Sequence, residues 1–129
     1  GGLVGSEMCI RDRAIDDAAV CLIDALPDAV YRGDVSAYPR PGHIPGATNT
    51  PATGLIEPDS GRFRPLDELR AHFPADRGRR IITYCGGGIA ASADAFALTL
   101  LGHRDVAVYT ASLQEWAMDP DAPLVTGPS

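Results

Sequence analysis

The stretch Arg80-Ile81-Ile82-Thr83-Tyr84-Cys85-Gly86-Gly87-Gly88-Ile89-Ala90-Ala91-Ser92 constrains this chain more than any other. A short apolar run leads into a cysteine, three glycines follow, and a helix-forming segment continues to Leu101. A strand, a Gly-rich turn and a helix start, in that order, bring backbone N–H groups around whatever sits on the cysteine. The helix dipole adds positive potential at the same place. The pattern predicts a nucleophilic Cys85 whose sulfur carries or attacks something anionic. Gly86, Gly87, Gly88, Ile89, Ala90 and Ala91 form the expected loop around it.

The rest of the chain alternates between strand-like and helix-like segments. Apolar runs at 19–23 and 106–109 read as short buried strands, and a short strand is expected at 47–50. A helical turn is expected at 27–33, stopped by Gly33. In 65–73, Pro65 suits the first helical position, with Leu66, Leu69 and Phe73 on one face. The helix at 90–101 is apolar nearly all round, so it should be largely buried, with Gly102 as its stop. Ser112 and Glu115 are spaced as a capping box for a last helix at 112–117. Trp116 should pack on the core with its N–H on a backbone partner. This alternation predicts an α/β fold with a mostly parallel central sheet flanked by helices. Ligands in such sheets bind beyond the carboxyl ends of strands, and Cys85 stands at such an end.

Composition bounds the function classes. The 129 residues suffice for one domain. With 45% hydrophobic and 22% charged residues, the chain should fold rather than remain disordered. A net charge of −6 argues against nucleic acid as a partner. No apolar run reaches the ~20 residues of a membrane span, so no membrane partner is expected. Cys9, Cys21 and Cys85 are odd in number and lack zinc-site spacing, which predicts reduced thiols in the cytoplasm and no metal or cofactor. Residues 1–13 lack periodicity and resemble a translated sequencing-adapter artefact, the alternative being a native but frayed, disordered leader. They are set apart from a domain spanning 14–129, itself expected to be a piece of a tandem protein.

Four separated motifs together resemble the rhodanese-type sulfurtransferase family. They are Leu22-Ile23-Asp24, then Gly42-His43-Ile44-Pro45-Gly46-Ala47, then Tyr84-Cys85 with its loop, then Ser112-Leu113-Gln114-Glu115-Trp116 with Asp119-Pro120 and Pro123. The resemblance runs from about Val20 to Gly127 and is to the C-terminal, active domain of tandem enzymes. It implies that Cys85 takes a sulfane sulfur from a donor such as thiosulfate as a persulfide. A thiol or cyanide acceptor then removes that sulfur. It also implies an upstream second domain as a partner. Family members that use thiosulfate carry basic residues in or near the loop, where this chain has Gly86 and Gly87. The family's arginine two positions after the first-strand aspartate is Leu26 here. Arg32, Arg40 and Arg104 are the candidates for replacement charge. Asp24 and His43 are candidates for charge or structural support, with His43 open to a general-base reading. One alternative is a non-catalytic binding or regulatory domain. A remote one is a cysteine phosphatase, which needs an arginine six positions after the cysteine, where Ala91 stands.

Overall fold

A computed structural model of the chain describes residues 20–35, 38–73, 80–86, 89–109 and 112–127. The leader at 1–13, with Cys9, lies outside these residues, as do Gly87 and Gly88. The strands are β1 (Val20–Asp24), β2 (Thr48–Asn49), β3 (Arg80–Tyr84) and β4 (Val106–Val108). The helices are α1 (Asp28–Arg32), α2 (Leu66–Ala71), α3 (Ile89–Leu100) and α4 (Ser112–Trp116), with a 3-10 turn at Ala52–Leu55.

The sheet order is β2-β1-β3-β4, and all three pairings are parallel. β1 and β3 are central and pair residue for residue from Val20↔Arg80 to Asp24↔Tyr84. A strand covered on both faces reads as a continuous apolar run, which is why Val20–Ile23 and Ile81–Ile82 carry no polar alternation. Their side chains divide between two cores. Leu22, Ile82 and Tyr84 pack with Tyr31, Ile44, Leu113 and Trp116 on one side. Cys21, Ile23 and Ile81 pack with Leu69, Phe73, Ala97 and Leu98 on the other.

Three local expectations are corrected. Pro65 precedes α2 as its N-cap rather than opening it, and Leu66 is exposed while Leu69 and Phe73 are buried. β4 is half-buried because it is the edge strand, paired on one side only. α3 is not buried all round: Ile89, Phe96 and Leu100 face outward, whereas the acidic Asp94 is fully buried with Ala91, Ala97 and Leu98. The face that meets the sheet decides burial, and it includes the one acid of the helix. No helix of the described residues is long and apolar enough to cross a membrane.

Candidate active site

Cys85 follows directly on β3, at the carboxyl end of the sheet's centre. Its backbone is held by a segment far along the chain. The Cys85 N–H donates to Ser112 Oγ at 3.1 Å. The Leu113 N–H donates to the Cys85 carbonyl at 2.8 Å, and the Gln114 N–H to the Gly86 carbonyl at 3.2 Å. The start of α4 is thus docked onto the cysteine loop. This overturns the capping box at Ser112. Its hydroxyl donates to the Tyr109 carbonyl at 2.5 Å and accepts the Cys85 N–H, so it joins two strand ends rather than capping its own helix.

Cys85 lines a cavity of about 410 Å³. The cysteine itself is only 2% exposed, so the cavity is its route to solvent. Leu26, Ala52, Ile56, Ile89, Ala90 and Ala93 make the walls apolar, and none of the described lining residues is charged. The N-terminal end of α3, with the positive end of its dipole, adjoins the cysteine. Gly86, Ile89 and Ala90 of the expected loop line the cavity. Ala91 does not: it is fully buried, and its carbonyl accepts the Thr83 hydroxyl at 2.8 Å.

The four supporting candidates make the following contacts. Asp24 Oδ1 accepts the Leu26 N–H at 2.8 Å, closing the turn that sets Leu26 in the cavity wall. Burial raises the Asp24 carboxyl to about 6, against the lowering pull of the Leu26 N–H and the Tyr84 hydroxyl. Arg32 pairs with Asp28 at 2.9 Å on the outer surface of α1. Arg40 donates to three carbonyls, those of Ala117 (3.1 Å), Asp119 (2.6 Å) and Ala122 (2.6 Å), so it holds the segment after α4. His43 is buried and stacked on Tyr31 with ring centroids 3.6 Å apart. Its Nδ1 lies 2.7 Å from the Tyr31 carbonyl, which can only accept, so Nδ1 carries the proton. Neither Arg32, Arg40 nor His43 lines the cavity. Arg104 is exposed beyond α3 and is likewise absent from its walls.

The motifs singled out in the sequence therefore meet in space. The His43 segment pairs with Val125 through mutual N–H to carbonyl bonds of 2.8 and 2.9 Å. The Ser112 segment grips the cysteine loop, and Trp116 donates its indole N–H to the Pro123 carbonyl at 2.8 Å. A family model described as a rhodanese-like domain matches residues 11–119.

The chain belongs to the rhodanese-like domain family.

This rhodanese-like domain is 39% identical over 113 residues to a probable 3-mercaptopyruvate sulfurtransferase of Pseudomonas aeruginosa, covering 84% of the chain and 39% of that protein. It is 33% identical over 127 residues to the putative thiosulfate sulfurtransferase SseB of Mycobacterium tuberculosis, covering 95% of the chain and 44% of that protein. The chain thus spans about two-fifths of the length of the curated relatives it matches. Among solved structures it resembles EanB in complex with ergothioneine, with a TM-score of 0.78 and 25% identity over 88% of the chain and 29% of EanB.

Two residues, one at the cavity and one buried in α3, carried no sequence signal strong enough to single them out. Tyr38 lies in a Pro- and Gly-rich stretch that reads only as loop, yet it lines the cavity beside Gly86. Asp94 lies in a helix read as apolar, yet both its carboxylate oxygens are buried with no hydrogen-bond partner among the described residues. Burial, reinforced by the charge on Asp24, raises its carboxyl to about 8. A lone acid in an otherwise apolar helix was the signal available for Asp94.

Proposed function

We propose that the rhodanese-like domain transfers sulfane sulfur through a persulfide on Cys85. The observation that carries this reading is the placement of Cys85: it follows directly on a central strand and lines an open apolar cavity beside the start of α3. Relatives named as 3-mercaptopyruvate and thiosulfate sulfurtransferases support the reaction class. A solved EanB structure at 25% identity that holds a cysteine persulfide supports the intermediate.

The chemistry is covalent and two-step. The Cys85 thiolate attacks the outer sulfur of a donor. With thiosulfate, the S–S bond of the donor breaks, sulfite leaves with the electron pair, and Cys85 becomes Cys–S–S⁻. An acceptor nucleophile then attacks the outer sulfur and the Cys85 thiolate departs. Cyanide would leave as thiocyanate; a thiolate would leave as a persulfide. The chain's own part is to hold the nucleophile and exclude water. The bonds from Ser112 and Leu113 fix the cysteine backbone, and the apolar walls limit hydrolysis of the loaded sulfur. Ala91 is fully buried where a phosphate-clamping arginine would have to stand, so no observation favours the phosphatase alternative. The test is a single turnover: the domain loaded with a sulfane donor and freed of excess should release one thiocyanate per Cys85 on adding cyanide. No thiocyanate from the loaded wild type would sink the reading.

A further inference from the structure

Gly86 has no side chain, and the space one would fill is taken by Tyr38. A Cβ built on Gly86 would overlap the Tyr38 hydroxyl and the ring carbon that bears it. Glycine is not required there by the backbone, because Gly86 is not among the residues with positive φ. Its missing side chain makes room for the phenol. Tyr38, Gly86 and Cys85 line one cavity, so the phenol and the cysteine face the same space.

The remaining surroundings define what that hydroxyl meets. No described lining residue is charged, and the nearby arginines Arg32 and Arg40 are engaged elsewhere. Among the described lining residues, Tyr38 and Thr53 carry a hydroxyl, and Tyr38 is the one seated on Gly86. Burial and the negative charges of Cys85 and Asp24 hold the phenol above its ordinary range, so it keeps its proton at neutral pH and donates. A doubly charged donor entering such a site gives up water without gaining a cation. A singly charged donor with an apolar body loses less and gains contact with the walls.

Building on the Cys85 persulfide reading, we propose that Tyr38 is the specificity-determining residue of the donor site. Its hydroxyl, occupying the side-chain space of residue 86, donates to the leaving-group oxygen of a singly charged sulfane donor with an apolar body, of the thiosulfonate class. Attack by the Cys85 thiolate on the outer sulfur of such a donor breaks its S–S bond. The persulfide forms on Cys85, and the sulfinate leaves with the electron pair, its oxygen held by Tyr38.

A matched pair of donors tests this with the full chain. Benzenethiosulfonate and thiosulfate offer the same sulfane sulfur, but the first replaces one charged oxygen with a phenyl ring. Wild type is expected to load Cys85 from benzenethiosulfonate at least about tenfold more efficiently than from thiosulfate. Tyr38→Phe, which removes only the hydroxyl, is expected to lose about tenfold or more in that loading, the size of one charge-assisted hydrogen bond. Gly86→Ala should displace the ring and lose a similar factor, and the double variant should be no worse than the poorer single, since both remove one contact. A scaffold role would instead lower the thermal midpoint of Tyr38→Phe, which should stay unchanged. Loading of Tyr38→Phe at the wild-type rate, or equal use of the two donors by wild type, overturns the proposal. Inorganic polysulfide separates the two levels. If wild type takes no sulfur even from polysulfide, the persulfide reading falls and takes this proposal with it. If it loads from polysulfide but is indifferent to Tyr38→Phe, only the role of Tyr38 fails.

Discussion

Ser112 accepts the backbone N–H of Cys85 on its side-chain oxygen at 3.1 Å, across 27 residues of sequence. Ser112 is also the one described non-glycine residue with a positive φ, 53°. That torsion is unfavourable by about 1 kcal/mol for an L-residue. The site retains it because the hydroxyl also donates to the Tyr109 carbonyl, tying together the ends of β3 and β4.

Ser112→Ala should therefore lower stability by roughly 1–3 kcal/mol, because the Cys85 N–H is left buried and unmatched. Ser112→Gly loses the same hydroxyl but relieves the torsion, so it should be the milder change. Urea denaturation of the three proteins checks the order. Equal stability of wild type and Ser112→Ala would remove the anchoring role.

Arg40→Lys should destabilise by roughly 2 kcal/mol, since an ammonium cannot fork to the carbonyls of Ala117, Asp119 and Ala122. The donor preference at Cys85 should not change, because Arg40 does not line the cavity. Thermal melts, together with loading rates for the two donors, measure both halves. A changed donor ratio would mean that Arg40 supplies charge to the site after all.

Asp24 and Asp94 hold protons more tightly in the fold, at about 6 and about 8, than at the ordinary carboxyl value of 3.8. In that window the native state binds more protons than the unfolded chain, so stability falls as pH rises. Their contribution is complete below about pH 4 and is lost as pH passes through 6 and then 8. Asp94→Asn keeps the shape and removes the ionisation. Its stability relative to wild type should improve between about pH 5 and about pH 9 by at least ~1 kcal/mol. Denaturant titrations at the two pH values test this, and parallel curves would contradict it.

Gly42→Ala should be among the most damaging single changes. Gly42 has φ +105°, and a Cβ there would overlap the Val125 carbonyl, a backbone atom that cannot swing away. The loss should exceed ~2 kcal/mol. A melt showing no shift would contradict the described pairing of His43 with Val125.

The elements were readable from sequence where local chemistry decides them. β3 reads as an apolar run because it is covered on both faces, and Gly33 and Gly102 end helices because both take positive φ. Cys85 was readable as a cysteine at a strand end, and it follows directly on β3 and lines the cavity. What failed was long-range. Ser112 and Glu115 fit a local cap in spacing, but a strand end brings Cys85 to the hydroxyl first. Phe96 and Leu100 were expected inside because a run of apolar residues does not say which face of the helix meets the sheet. Tyr38 could not be placed at all, since only the folded loop brings it onto Gly86.

Cys85 as the carrier of the sulfur is the central claim. Intact-mass measurement after brief exposure to a sulfane donor tests it most directly, on wild type and Cys85→Ser side by side. Wild type should gain one sulfur, removed by cyanide, and Cys85→Ser should gain none. The same adduct on Cys85→Ser, or no adduct on a folded wild type with any sulfane donor, would contradict it.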